Sequence, residues 1–251
     1  MTINTAPRDS PATPSGRHGA QRQDHAAGKA VYGALDLGSN NCRLLVAKPE
    51  ISGFRVIDAF SRIVRLGEGV ADTGRLSDDA MARTLSALDV CAGKLRRRGV
   101  TRFRGVATEA CRLAENCDSF LARALAEAGL DLEIISGREE VALAFDSCSP
   151  LLEATASHAL VFDIGGCSTE LIWVRLDVGA PPEVIDWASL PCGVVSLSER
   201  HGGDRIAEIT YRAMMAEADT LVAPFVAGLG IADALAGGSL QVLGTSGTVT
   251  T

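Results

Sequence analysis

The chain has 251 residues, 47% of them hydrophobic and 22% charged, with a net charge of -7; it can bury a core of one or two domains and is not a disordered chain. The acidic balance argues against sequence-independent nucleic-acid binding, which needs a basic face, and no apolar run reaches the ~20 residues of a membrane span. Seven cysteines without a C-x-x-C pair and four scattered histidines provide no metal-finger spacing, so the thiols read as reduced and the compartment as cytoplasmic.

Residues 1–29 are rich in Pro, Ser, Arg, Gly and Gln and hold no continuous apolar segment; they read as a disordered tail and not as a signal peptide. Three strands of a meander follow, over Val31 to Leu37, Cys42 to Lys48 and Phe54 to Val64, with turn residues at Gly38-Ser39-Asn40-Asn41 and Pro49-Glu50-Ile51-Ser52-Gly53. Ser77 caps a long helix with Asp78 and Asp79 in its first turn, an apolar stripe through Met81, Leu85, Leu88, Ala92 and Leu95, and Arg96-Arg97-Arg98 ahead of Gly99. The basic triplet reads as a solvated helix end. Thr101 to Ala107 is then a strand, Thr108 to about Gly129 a helix, and Leu132 to Ile135 a strand, and Gly137 opens a helix carrying Arg138, Glu139 and Glu140. This alternation implies an α/β fold with a partly parallel sheet.

Ser149-Pro150 is the strongest boundary signal and divides residues 30–149 from residues 150–251. The second half repeats the opening: strands at Ala159 to Asp163, Thr169 to Asp177 and Val184 to Ser189, then helices around Val194 to Arg200 and Asp204 to Val226. Val242-Leu243 leads into Gly244-Thr245-Ser246-Gly247, a strand-to-helix turn whose amides can meet an anion. Thr248-Val249-Thr250-Thr251 starts an element with no stop signal after it, so the second domain is expected to be incomplete and its apolar faces exposed.

Two stretches carry the chemistry. In Val161-Phe162-Asp163-Ile164-Gly165-Gly166-Cys167-Ser168-Thr169-Glu170-Leu171 an apolar strand ends on a carboxylate, turns on two glycines, passes a hydroxyl pair and reaches a second carboxylate. Gly165 and Gly166 can aim successive N–H groups into a concavity suited to a phosphate. Asp163 and Glu170 beside it can hold a divalent cation, which a polyanion needs if it is to approach carboxylates. An ordinary hairpin with a Gly turn is the competing reading. Against it, Val31 to Val46 repeats the same order, with Asp36, Gly38, Ser39, Asn40 and Arg43 in the corresponding places. Two such units read as a duplicated pair of domains, each offering one phosphate-binding hairpin to a shared cleft.

The paired hairpins resemble the acetate kinase/sugar kinase/actin superfamily. Arg65-Leu66-Gly67-Glu68-Gly69, Ala107-Thr108-Glu109-Ala110-Cys111-Arg112, Ile134-Ile135-Ser136-Gly137-Arg138-Glu139-Glu140 and Gly244-Thr245-Ser246-Gly247-Thr248-Val249 narrow the resemblance to the exopolyphosphatase/guanosine pentaphosphate phosphatase (Ppx/GppA) family, over about Val31 to the last residue. The resemblance implies two actin-like (ribonuclease H-like) α/β domains with a cleft between them, the second lacking its last elements. It further implies a hydrolase that releases the terminal phosphate of inorganic polyphosphate, or the 5′ phosphate of guanosine pentaphosphate, with Mg2+ or another divalent cation. Such a reaction asks mainly for amides, cations and a metal around a loose transition state, and for a base that positions water.

Glu140 matches the second Glu of the family's S-G-x-E-E motif, to which the base role is assigned; a Glu in the first turn of a helix facing the cleft is also well placed to orient water, with helix-end charge compensation as the plain alternative. Glu139 points about 100° away on a helix and is read as structural. Arg112 matches the cleft arginine of the A-T-x-x-x-R motif, where a guanidinium fork suits phosphate oxygens; a surface helix Arg is the alternative, and Arg43 and Arg65 are weaker candidates of the same kind. Asp163, Glu170 and Asp36 are the expected metal carboxylates, against a turn-capping role. Gly38, Ser39, Asn40, Arg43, Gly165, Gly166, Ser168 and Gly247 are the expected phosphate contacts. Where the family has three glycines, this chain has Gly165-Gly166-Cys167, and Cys167 has no nearby His to make it a nucleophile. Two rivals stay open: an ATP-dependent kinase or ATPase of the same superfamily, and a non-catalytic module that binds polyphosphate or guanosine pentaphosphate. Longer family members carry extra helical domains for gripping long chains, and none is read in these 251 residues, so short substrates are the mild expectation. No nucleic acid or membrane is expected as a partner, and a homodimer is the default assembly.

Overall fold

A computed structural model describes residues 30–153, 155–203, 205–236 and 239–250; the expected disordered tail, residues 1–29, lies outside them. The first sheet begins as an antiparallel meander of β1 (Tyr32–Leu37), β2 (Asn41–Glu50) and β3 (Gly53–Ile63). Period-two alternation sends Leu35, Leu37, Cys42, Leu44 and Val46 to one face, where they are buried. β3 is the edge strand, and its Phe54, Val56 and Ile63 are exposed. After a short helix, α1 (Val70–Thr73), comes α2 (Asp78–Arg98). Ser77 Oγ accepts from Ala80 N at 3.2 Å, and Gly99 ends the helix at φ 63. Its Met81, Leu85, Leu88, Ala92 and Leu95 bury against the sheet, each large apolar side chain contributing roughly 1.5–3 kcal/mol. β4 (Arg102–Ala107) then runs parallel to β1.

The single helix expected from Thr108 to Gly129 is broken. It consists of α3 (Glu109–Leu113), an extended Ala114, α4 (Cys117–Arg123) and a π-helical turn over Ala124–Ala128. The cause is tertiary. Asn116 Oδ1 accepts from Leu76 N at 2.8 Å while its Nδ2 donates to Leu76 O at 2.9 Å, and Glu115 N donates to Gly74 O. These bonds draw the backbone out of helix, which a local pattern does not reveal. The two-residue β5 (Glu133–Ile134) completes the order β3-β2-β1-β4-β5.

α5 (Gly137–Cys148) opens on Ser136, whose Oγ accepts from Glu139 N, and ends in a 3-10 turn at Ser149–Leu151. The second sheet follows: β6 (His158–Ile164), β7 (Thr169–Arg175) and β8 (Glu183–Leu190) form a meander, then come α6 (Val194–Arg200), α7 (Glu208–Ala227) and α8 (Ile231–Ala236). β9 (Leu240–Thr245) pairs parallel with β6, giving the order β8-β7-β6-β9, and α9 (Gly247–Thr250) follows it. Val141 and Cys148 of α5 pack with Ala159, Val161, Ile172 and Val174. The helix ahead of the expected hinge at Ser149-Pro150 therefore packs with the half that comes after it.

The two sheets repeat one connectivity, a three-stranded meander whose first strand takes a parallel neighbour on its other side. This is the two-fold, actin-like α/β arrangement expected from the paired hairpins, with five strands in the first sheet and four in the second among the described residues. Among the described residues no helix is long and apolar enough to cross a membrane.

Candidate active site

The duplicated hairpins superimpose by register. Asp36 pairs across the ladder with Arg43, and Asp163 with Glu170. Each turn closes with the same bond, Gly38 N to Asn41 O at 2.9 Å and Gly165 N to Ser168 O at 2.9 Å. The one change of sign matters: where the first hairpin carries a guanidinium, the second carries a carboxylate. The turns also touch. A Cβ at Gly166 would lie 2.8 Å from Asn40 N, and one at Gly193 would overlap the Gly166 carbonyl. The first amides of α6 tie the second turn down, with Val194 N donating to Gly165 O at 3.0 Å and Val195 N to Gly166 O at 2.8 Å. Glu199 of α6 in turn accepts from Gly69 N of the first half at 2.9 Å.

Asp36, Gly38, Ser39, Asn40, Arg43, Glu140, Asp163, Gly165, Gly166, Ser168 and Glu170 all line one cleft that opens to solvent. Gly247 is not among the lining residues; Arg43 Nη2 crosses from the first sheet so close to it that a Cβ would overlap it. Arg112 does not line the cleft; it lies behind Glu140. Arg65, with φ 48, is also absent from the lining, and its carbonyl accepts from Arg83. Asn41, Thr108, Ile164, Val194 and Ser246 line the cleft without having been singled out. Thr108 and Ser246 sit inside two of the quoted sequence stretches, and Ser246 is a non-glycine residue at φ 76, a backbone state seldom held without cause.

Burial raises the carboxyl pKa values throughout the cleft. Asp36 is pushed up to about 6, chiefly by burial, with Arg43 pulling it down and Glu140 and Asp163 adding to the rise. Glu170, 2% exposed, reaches about 7 through burial and then Glu140, although Ser189 Oγ donates to its Oε1 at 2.8 Å. Burial also raises Asp163, against a hydrogen bond from Ser246 and the charge of Arg43. Glu140 is raised by burial and drawn back by Arg112, whose Nη2 donates to Glu140 Oε2 at 2.7 Å. Glu139 turns the other way and pairs with Arg104. Ser39 Oγ accepts from Ala110 N at 3.1 Å, fixing the first hairpin to α3. Cys167 is buried against Gly67, and burial raises its thiol pKa, which removes thiolate character.

Among the described residues no group of three His, Cys, Asp or Glu side chains closes around one point. The candidate carboxylates of this cleft are Asp36, Asp163 and Glu170. Asp36 and Asp163, which repel each other within it, do fit a small hard cation held by one or two carboxylates, retained water and substrate oxygens.

The profile of the Ppx/GppA phosphatase family matches residues 45–251. Among solved structures, an exopolyphosphatase-like protein is 30% identical and superimposes with a TM-score of 0.75 over 88% of this chain and 67% of its own. An exopolyphosphatase from Cytophaga hutchinsonii is 25% identical, with a TM-score of 0.77 over 88% of this chain and 68% of its own. The type II variant of the Aquifex aeolicus Ppx/GppA phosphatase is 30% identical, with a TM-score of 0.56 over 76% of this chain and 62% of its own.

Proposed function

The chain belongs to the Ppx/GppA phosphatase family, and from that premise we propose that it hydrolyses phosphoanhydrides, releasing the terminal phosphate of inorganic polyphosphate or the 5′ phosphate of guanosine pentaphosphate. The observation that carries this reading is the meeting of both glycine turns, Arg43 and Glu140 in one cleft. In the proposed reaction the amides of the two turns and Arg43 hold the phosphate oxygens, where fixed donors act on charge that spreads in the transition state. Glu140 takes the proton of the attacking water; burial keeps its proton affinity above that of an exposed carboxyl, which suits a base working near neutral pH. Asp36 and Asp163, with Glu170 behind them, would hold Mg2+, whose charge offsets the polyanion beside the carboxylates. The seven unpaired thiols accord with the proposed cytoplasmic setting.

The test follows phosphate release from tripolyphosphate, long-chain polyphosphate, guanosine pentaphosphate and ATP, each with Mg2+. Release from one of the first three, with ATP spared, is expected. Consumption of ATP in the presence of an acceptor, with the others intact, would place the chain with the kinases. Glu140→Gln should lower turnover by about 10²-fold or more while calorimetry still registers binding; unchanged turnover would move water activation to another group.

A further inference from the structure

Glu109 lines no part of the cleft, yet it holds the guanidinium that holds the proposed base. Arg112 Nε donates to Glu109 Oε2 at 2.7 Å, and its Nη2 lies 2.6 Å from that same oxygen and 2.7 Å from Glu140 Oε2. Nη1 donates to the Ile135 carbonyl at 2.8 Å, at the residue just before the α5 cap. The three side chains are 23%, 18% and 21% exposed for Glu109, Arg112 and Glu140 respectively, so this is not a solvent-screened surface pair. The spacing of three residues on α3 sets Glu109 and Arg112 on one face.

Resting on the reading of Glu140 as base, we propose that Glu109 is a positioning residue, clamping Arg112 flat between α3 and the Ile135 carbonyl so that Glu140 presents a fixed carboxylate to the cleft. A guanidinium facing Glu140 alone would neutralise it and weaken it as a base. Shared between two carboxylates, the same cation orients Glu140 and leaves the trio one negative charge. With Nε and Nη2 on the two carboxylates and Nη1 on the Ile135 carbonyl, Arg112 serves Glu140. Glu109 therefore acts on the rate of the chemical step and not on the affinity for phosphate.

The test uses the whole 251-residue chain with tripolyphosphate and Mg2+ as the probe. Glu109→Gln keeps the volume and one acceptor for Nε, and should lower kcat by about tenfold with KM within about twofold. Glu109→Asp should recover part of the loss. Because Glu109 acts through Arg112, adding Glu109→Ala to Arg112→Ala should cost nothing beyond Arg112→Ala alone. An unchanged kcat, a loss appearing in KM, or additive losses would each overturn the proposal. An arm independent of turnover follows the Arg112 Nε–H resonance, identified by its disappearance in Arg112→Lys. It should exchange slowly in the native chain and rapidly in Glu109→Ala, and equal exchange in both refutes the clamp. If the native chain releases phosphate from none of the substrates, the functional reading falls, and the resonance still decides whether Glu109 clamps Arg112.

Discussion

Asp36 sits where opposing fields meet: burial lifts its pKa, Arg43 across the ladder lowers it, and Glu140 with Asp163 lifts it again, to about 6. In the second hairpin Glu170 occupies the place of that arginine and is itself pushed up to about 7. Both carboxyls bind a proton more tightly in the folded chain than in the unfolded one, where ordinary values are ~4. Their contribution to stability is thus complete below about pH 4 and is lost as pH rises through 6 and then 7. Asp58 runs the opposite way, held down to about 2 by Lys94 and Arg98, and its contribution fades only at pH values below that window. The melting temperature should therefore fall between about pH 4.5 and about pH 8 in low salt without divalent cations. Asp36→Asn and Glu170→Gln should each flatten the slope, and Mg2+ should raise the melting temperature more at the upper end than at the lower. A native slope of opposite sign, or variants that leave it unaltered, would contradict this account of the cleft.

The hairpins act as elements because they touch, and the contact admits no side chain. Gly166→Ala places a methyl 2.8 Å from Asn40 N and 3.0 Å from the Cβ atoms of Asn40 and Ser39. One turn must shift, at about 1–3 kcal/mol, and denaturant unfolding should register that loss together with weaker tripolyphosphate binding. Gly228→Ala, at φ -87 with no atom nearer than 3.9 Å to the added methyl, controls for a Gly→Ala change away from the cleft. Equal binding by Gly166→Ala and the native chain would separate the turn contact from phosphate recognition. The hairpins were legible beforehand because an aspartate, a glycine turn and an outgoing strand recur at one spacing, which period-two alternation converts directly into register. The break at Ala114 was not, since the partner of Asn116 is Leu76, forty residues earlier in the chain and outside any local window. Arg112 was singled out by motif alone; its engagement by Glu109 and Glu140 depends on α5 arriving beside α3, which only the assembled fold shows.

At the scale of the molecule, the two halves share a plan but not a core. The first core runs from Val31 to Leu132 and encloses Phe120, Leu88 and Leu66 with almost no exposure. Among the described residues the second is smaller: Val141, Cys148, Ala159, Val161, Ile172 and Val174 are its buried members, with Phe145, Leu152, Trp187 and Leu243 partly buried against them. α7, long and apolar by composition, has no buried residue. Since opening free energy follows buried apolar contact, amides of β7 and α7 should exchange with solvent faster than those of β1 and α2 under native conditions. The cleft is built from both halves, so a polyanion seated on both turns, as proposed, would require both to be in place. Tripolyphosphate with Mg2+ should then slow exchange in β6 and β7 more than in β1 and β2, because a ligand that requires both halves adds its binding energy to the opening of the weaker one. Slower exchange confined to the first sheet would mean that the second turn takes no part in holding the ligand, and the shared cleft would lose its role.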